Sequence, residues 1–177
     1  MGARLTLASR SPQRRAILTQ LGVEFTVVVP GVEETEEGDP RQLVVENALR
    51  KQQAVTGERV LGVDTTVALD GRSFGKPATP EEARATLEAL AGRTHEVHSG
   101  IALNGATALA TTSVRFRPGD DRLLDWYIAG EEWRERAGGY AIQGRGAALV
   151  EAIEGDFWNV VGLPVPALLG LAPDLLD

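Results

Sequence analysis

The topology of this 177-residue chain turns on Val60-Leu61-Gly62-Val63-Asp64-Thr65-Thr66-Val67-Ala68-Leu69-Asp70-Gly71. Valine, leucine and threonine dominate Val60 to Leu69, as they do in strands, and Asp70-Gly71 is a two-residue hairpin signal. A hairpin imposes antiparallel pairing, so the sheet that receives this strand is not wholly parallel. One carboxylate, Asp64, sits inside the apolar run. Burying it unpaired would cost on the order of several kcal/mol, so it calls for a metal, a cation or a hydrogen-bond network. The alternative is a strand position that faces solvent.

On the N-terminal side, Arg4 to Ala8 alternates like a strand. Ser11-Pro12 then gives an N-cap followed by proline at the first helical position, and the helix from Pro12 to Leu21 stops at Gly22. Phe25 to Val29 is a second strand, Pro30 to Asp39 an acidic loop, and Asp39-Pro40 caps a longer helix through Val44, Ala48 and Val55 to Gly57. On the C-terminal side, Thr79, Pro80 and Glu82 form a capping box for a helix that ends at Gly92. Glu96 to Leu103 and Thr107 to Phe116 are strands joined by Asn104-Gly105. Asp121 to Ala129 and Glu132 to Arg136 read as helices, Ala147 to Ile153 as a strand, and Pro164 to Leu171 as a short final helix. Helices interleaved with strands, plus two hairpins, predict an α/β fold: a mixed β-sheet flanked by helices, with residues 1–177 forming one domain.

Composition narrows the chemistry. The absence of cysteine excludes disulfides, thiolate metal sites and cysteine nucleophiles. A net charge of -7 argues against a protein that wraps a nucleic-acid backbone. It leaves room for nucleotides, since a few cations can hold a triphosphate while surplus carboxylates hold its metal. Met1 to Leu7 shows no basic leader followed by a long apolar core, and Pro164, Pro166 and Gly170 break the last apolar stretch well short of the ~20 residues that span a bilayer. The expectation is a cytoplasmic protein with no nucleic-acid or membrane partner.

Ser9-Arg10-Ser11-Pro12-Gln13-Arg14-Arg15 lies where the first strand meets the first helix. Free amide donors, two hydroxyls and several guanidinium groups there suit a phosphate, although the same pattern suits a plain cap followed by solvated arginines. Lys51 and Lys76 are the only lysines, against 16 arginines, which points to specific roles. Proline at 77 fixes the Lys76 backbone in an extended form, while Lys51 also reads as part of a solvated helix face. Gly138, Gly139, Gly144 and Gly146 crowd a loop around Ile142-Gln143 without the fingerprint of a dinucleotide or Walker loop. His95 and His98 are three apart in a strand and point to opposite faces, so they do not chelate one ion, and His95 reads as a satisfied core or turn residue. Glu36 and Glu37 read as solvated surface, whereas Glu33 and Glu34 lie nearer a strand end, where loops often carry function.

Taken in order, these segments resemble the Maf family of nucleotide pyrophosphatases. The likeness runs from Leu7 to Pro164. It is carried by Leu7-Ala8-Ser9-Arg10-Ser11-Pro12-Gln13-Arg14, Gly31-Val32-Glu33-Glu34, Ala48 to Lys51, Gly62-Val63-Asp64-Thr65 and Gly75-Lys76-Pro77. It continues through Leu90 to Val97, Ala137-Gly138-Gly139-Tyr140-Ala141-Ile142-Gln143-Gly144, and Ile153-Glu154-Gly155-Asp156 with Val161-Gly162-Leu163-Pro164. The resemblance implies two lobes with an active cleft between them, and cleavage of a nucleoside triphosphate to monophosphate and pyrophosphate. It implies that Ser9, Ser11 and Arg14 receive phosphate, that Lys51 and Lys76 neutralise it, and that Asp64 is the general base. Asp64 with Glu33 or Glu34 would hold a divalent metal, magnesium or manganese.

Thr65 and Gln143 match the branch that acts on dTTP and UTP. Gln13 does not, because that branch carries arginine there. An amide at this position can exchange hydrogen bonds with a base or sugar but cannot pair ionically with phosphate. Two alternatives accompany this expectation. One is a pyrophosphatase for 7-methyl-GTP or deaminated purines; the other is a non-catalytic nucleotide-binding regulator of septum formation. The resemblance also allows a homodimer.

Overall fold

The computed structural model describes residues 4–35 and 37–177. The expectations for Met1 to Ala3 and for Glu36 lie outside the described residues. Among the described residues seven strands form one sheet: β1 (Leu5–Ala8), β2 (Phe25–Val28), β3 (Arg59–Leu69), β4 (Arg72–Phe74), β5 (Thr94–Leu103), β6 (Ala106–Phe116) and β7 (Val150–Glu154). The order is β2-β1-β3-β5-β6-β7, with β4 also paired to β3. β1 runs parallel to β2 and β3, and every other pairing is antiparallel, which gives the mixed sheet expected. Both hairpin signals hold: Asp70-Gly71 and Asn104-Gly105 have positive φ at both residues, as type I′ turns require.

Among the described residues six helices flank the sheet: α1 (Pro12–Gln20), α2 (Pro40–Gln53), α3 (Pro80–Leu90), α4 (Asp121–Ala129), α5 (Phe157–Val161) and α6 (Val165–Leu171). The caps are those the sequence announces. Ser11, Asp39 and Thr79 each accept a backbone N–H of the first turn that follows. No helix among the described residues is long and apolar enough to cross a membrane.

The alternation of β3 organises the interior. Leu61 and Val63 join Leu5, Leu7 and Leu163 in one core, and Val67 and Leu69 join Leu87, Val97 and Phe116 in another. These side chains share one face of the strand, with half-buried Thr65 between them, so the two cores mark the two lobes. The opposite face is covered by α2 at close range. A Cβ on Gly62 would stand 2.0 Å from the Ala48 carbonyl oxygen, and one on Gly100 would stand 2.2 Å from that of Val44. Only glycine lets the helix backbone lie this near the sheet.

Two local expectations are corrected, and one short helix is added. Residues 132–135 form turns and Arg136 is extended, instead of a helix over 132–136, because Glu131 and Glu135 adopt φ of 55° and 58°. The strand expected over 147–153 starts at Val150, since Arg145–Ala148 closes into a 3₁₀ turn. The five residues of α5, capped by the Asp156 side chain on Trp158 N, are too few to show a helical period in sequence.

Candidate active site

A gap in the pairing of β3 creates the site. One edge of β3 pairs with β5 from Leu61 to Ala68. Along the other edge, β1 partners residues 59–62 and β4 partners residues 67–69, which leaves Val63 to Thr66 without a strand neighbour. This bare edge opens into a cleft of about 750 Å³ lined by Asp64, Thr65 and Thr66. The β1–α1 junction, Ser9 to Arg14, forms part of the wall, and Lys76 and Arg136 also line it. A smaller hollow of about 380 Å³ near Asp39 and His98 holds charges that are already paired, Arg41 with Glu96 and Arg93 with Asp70.

Asp64 is buried, so the solvent-facing alternative does not apply. Its Oδ1 accepts from Lys51 Nζ at 2.7 Å, and its Oδ2 accepts from Asn47 Nδ2 at 3.0 Å. Asn47 and Lys51 are one turn apart on the face of α2 that the glycines draw against the sheet. Lys51 is itself buried and is not part of a solvated helix face. Its ammonium also donates to the Val63 carbonyl at 3.3 Å and pairs with Glu34 Oε1 at 2.8 Å, so its three protons have three acceptors.

Asn47 is a site residue that the sequence does not single out. Its amide exchanges hydrogen bonds with both the N–H and the carbonyl of Thr35, at 2.9 and 3.0 Å, and thereby clamps the acidic loop beside Asp64. The available signal was a second polar residue at helical spacing from Lys51, between the apolar positions Val44 and Ala48.

Arg14 is buried, and each of its three guanidinium nitrogens has a partner. Its Nε donates to the Gly162 carbonyl at 2.9 Å, one Nη to Ser9 Oγ at 2.9 Å, and the other to Thr65 Oγ1 at 3.1 Å. Thr65 continues the chain of contacts to Ser99 Oγ at 2.8 Å. Burial pulls the Arg14 pKa below its ordinary value, and the carboxylates of Asp64 and Glu34 offset part of that effect. Ser11 Oγ accepts the Arg14 N–H and donates to Gln13 Oε1 at 2.7 Å, while Gln13 Nε2 is buried without a partner.

The two glutamates separate. Glu34 lines the cleft and reaches Lys51, whereas Glu33 is exposed and offers only its carbonyl, to Arg50 at 3.4 Å. Burial acts to raise the Glu34 pKa, but Lys51, with Lys76 and Arg14, outweighs it and holds the carboxyl below its ordinary value. Asp64 and Glu34 thus converge on one cationic point, which suits two of the oxygen ligands of a magnesium-like ion. Among the described residues no three His, Cys, Asp or Glu side chains form a ready cage, so nucleotide oxygens and water would complete the shell.

Lys76 lines the cleft, half-exposed, and among the described residues its one ion pair is with Glu135, at 3.9 Å. Gln143 is exposed and is not among the lining residues. His95 and His98 lie apart from the cleft lining. His98 bonds Thr111 through Nδ1, and His95 Nε2 lies 2.8 Å from the Tyr140 hydroxyl while its Nδ1 has no partner, so His95 is a core residue only half satisfied.

Comparison with known proteins places nearly the whole chain among relatives of one kind. A Thermus thermophilus protein named dTTP/UTP pyrophosphatase is 47% identical over 174 residues, covering 94% of this chain and 92% of its own. A Symbiobacterium thermophilum protein of the same name is 45% identical, covering 91% and 88%. One from Pyrococcus furiosus, again so named, is 39% identical, covering 95% and 93%. The family model described as Maf-like protein matches residues 4–174. With nearly every described residue inside that match, the chain belongs to the Maf family.

Proposed function

We propose that this chain hydrolyses nucleoside triphosphates, dTTP and UTP foremost, to the monophosphate and pyrophosphate. The observation that carries the reading is a buried aspartate on the unpaired edge of a central strand, oriented by Lys51 and Asn47 at the base of a cationic cleft. Family membership and the names of the relatives support it. The whole chain acts as one catalytic domain in this reading, and the cytoplasm, where nucleoside triphosphates are made and spent, is its compartment.

Asp64 is the general base: one carboxylate oxygen takes a proton from water as the water oxygen attacks the α-phosphorus and the bond to the bridging oxygen breaks. Lys51 keeps Asp64 ionised before that step, and Asn47 fixes its plane. Lys76 offsets charge on the departing pyrophosphate, and Ser9, Ser11 and Arg14 order the β1–α1 wall against the phosphates. A divalent ion held by Asp64 and Glu34 would act as a Lewis acid on the phosphoryl oxygens. Glu33 would serve only if the loop before α2 turned it inward. Base selection falls to Thr65 and Gln13 at the cleft, with Gln143 contributing only if its loop closes over the substrate.

Gln13 favours a second reading, cleavage of a modified purine triphosphate such as 7-methyl-GTP, because that branch of the family departs from arginine here. One experiment addresses both. Purified protein is offered a panel of triphosphates with magnesium or manganese, and monophosphate and pyrophosphate are measured. UTP and dTTP should give both products at the highest rates. Release of orthophosphate instead, or no turnover of any nucleotide, would refute the reading.

A further inference from the structure

Six buried side-chain polar atoms among the described residues have no hydrogen-bond partner, and three of them belong to residues lining the cleft: Gln13 Nε2, Ser73 Oγ and Arg136 Nε. Folded proteins satisfy nearly all such atoms, because leaving one bare costs about 1–3 kcal/mol. Their concentration in one cleft points to a ligand that brings its own acceptors. Arg136 is the most informative of the three because it carries a full charge.

The backbone around Arg136 is fixed. Its carbonyl accepts the Gly139 N–H at 3.0 Å, its N–H donates to the Trp133 carbonyl at 3.3 Å, and Gly138 N donates to the Gly75 carbonyl at 3.0 Å. That last bond ties the segment to the residue preceding Lys76. Gly138, at φ 66°, lies so close to β3 that a Cβ there would stand 2.6 Å from the Val67 Cγ2. The guanidinium is therefore carried on a rigid wall, half-buried, and no ion pair reaches it among the described residues. Burial pulls its pKa below the ordinary guanidinium value; Glu132, Tyr127 and Glu135 oppose this from a distance without bonding to it. An arginine kept partly dry with an idle donor is suited to a planar, multidentate oxyanion.

We infer that Arg136 is a substrate-binding residue whose guanidinium takes phosphate oxygens of the nucleotide on the Lys76 side of the cleft. The inference rests on the polyphosphate reading of the cleft given above. It makes that wall a fork-and-point pair, Arg136 supplying directional hydrogen bonds and Lys76 a mobile charge.

The test uses the full chain and three variants, Arg136→Gln, Arg136→Lys and, as a control on the neighbouring exposed arginine, Arg134→Gln. Binding of inorganic pyrophosphate is measured by calorimetry, and KM for UTP with magnesium by steady-state kinetics. Arg136→Gln should weaken pyrophosphate binding by about tenfold or more and raise KM by a similar factor, as loss of charge-assisted hydrogen bonds does. Arg136→Lys should recover part of the loss, and Arg134→Gln should match the parent. Thermal unfolding of each variant shows that the comparison is made on folded protein, and Arg136→Lys carries it alone if Arg136→Gln does not fold. Pyrophosphate affinity unchanged by Arg136→Gln, or by Arg136→Lys in that event, would overturn the inference, even if KM rose through a contact with the base. A parent that binds pyrophosphate through Arg136 yet hydrolyses no nucleotide would refute the proposed activity and leave this assignment standing. A parent that binds no pyrophosphate would overturn it.

Discussion

Lys51 Nζ and Asp64 Oδ1 lie 2.7 Å apart, with the two side chains only 8% and 12% exposed. A pair this withdrawn from water is tolerated because both partners are otherwise satisfied, and removing one leaves the other charged and desolvated. Lys51→Met should therefore destabilise the fold by about 3–5 kcal/mol. Urea denaturation at pH 7 measures it. A loss below about 1 kcal/mol, the range of a surface pair, would mean that water reaches Asp64 freely.

Asp64→Asn keeps the shape and removes the base. Turnover should fall by about 10²–10⁴-fold, the usual contribution of a positioned proton acceptor. Nucleotide affinity measured without metal should stay close to that of the parent. Retained turnover would remove Asp64 from the chemistry.

Gly62→Ala tests the approach of α2 to the sheet. The added methyl meets the Ala48 carbonyl at 2.0 Å, so the helix carrying Asn47 and Lys51 must shift. Overpacking of this kind costs about 1–3 kcal/mol, and the backbone obstacle puts this site at the upper end. Activity should drop further than stability alone explains, because the two residues that orient Asp64 move with the helix. Activity per folded molecule, taken from parallel unfolding and rate measurements, separates the two effects.

Excess EDTA should stop turnover, and added magnesium should restore it. Lys51 already faces two carboxylates and has no charge to spare for a triphosphate, so a divalent ion would have to supply it. Full activity in chelator would show that the cationic side chains suffice.

His95 gives the fold an acid limit. Burial pushes its pKa down to about 4, against 6.5 for an unburied imidazole. The unfolded chain binds the extra proton first as pH falls, so this contribution is complete above about pH 6.5 and is lost progressively towards pH 4. The shift corresponds to roughly 3 kcal/mol. Denaturation midpoints at pH 7 and pH 4.5 should differ less for His95→Gln than for the parent. Equal differences would assign the acid sensitivity elsewhere, Glu34 included, since its lowered pKa acts in the same direction.

Much of this architecture was legible in the residues because it is encoded locally. Ser11-Pro12, Asp39-Pro40 and Thr79-Pro80 announce helix starts with their own side chains, and Asp70-Gly71 and Asn104-Gly105 supply the positive φ that their turns demand. Asp64 stood out for a related reason, as a charge where a strand should be greasy. What escaped depends on distant parts of the chain. Asn47 matters only because Gly62 and Gly100 bring α2 within reach, and Arg136 only because Gly138 is bonded to Gly75. The positive φ of Glu131 and Glu135 breaks a helix that composition favours, and nothing in those two residue types signals it.

The uninterrupted run of β3 beneath both lobes sets how they can move. β1 leaves it at Gly62 and β4 joins it at Val67, so the peptide units between are a shared spine whose far side is locked to β5 throughout. Any opening or closing of the mouth must be taken up as torsion in that short length, or by the outer walls alone. A spine braced in this way holds the Asp64 carboxylate at a constant height in the cleft, whichever way the outer walls move.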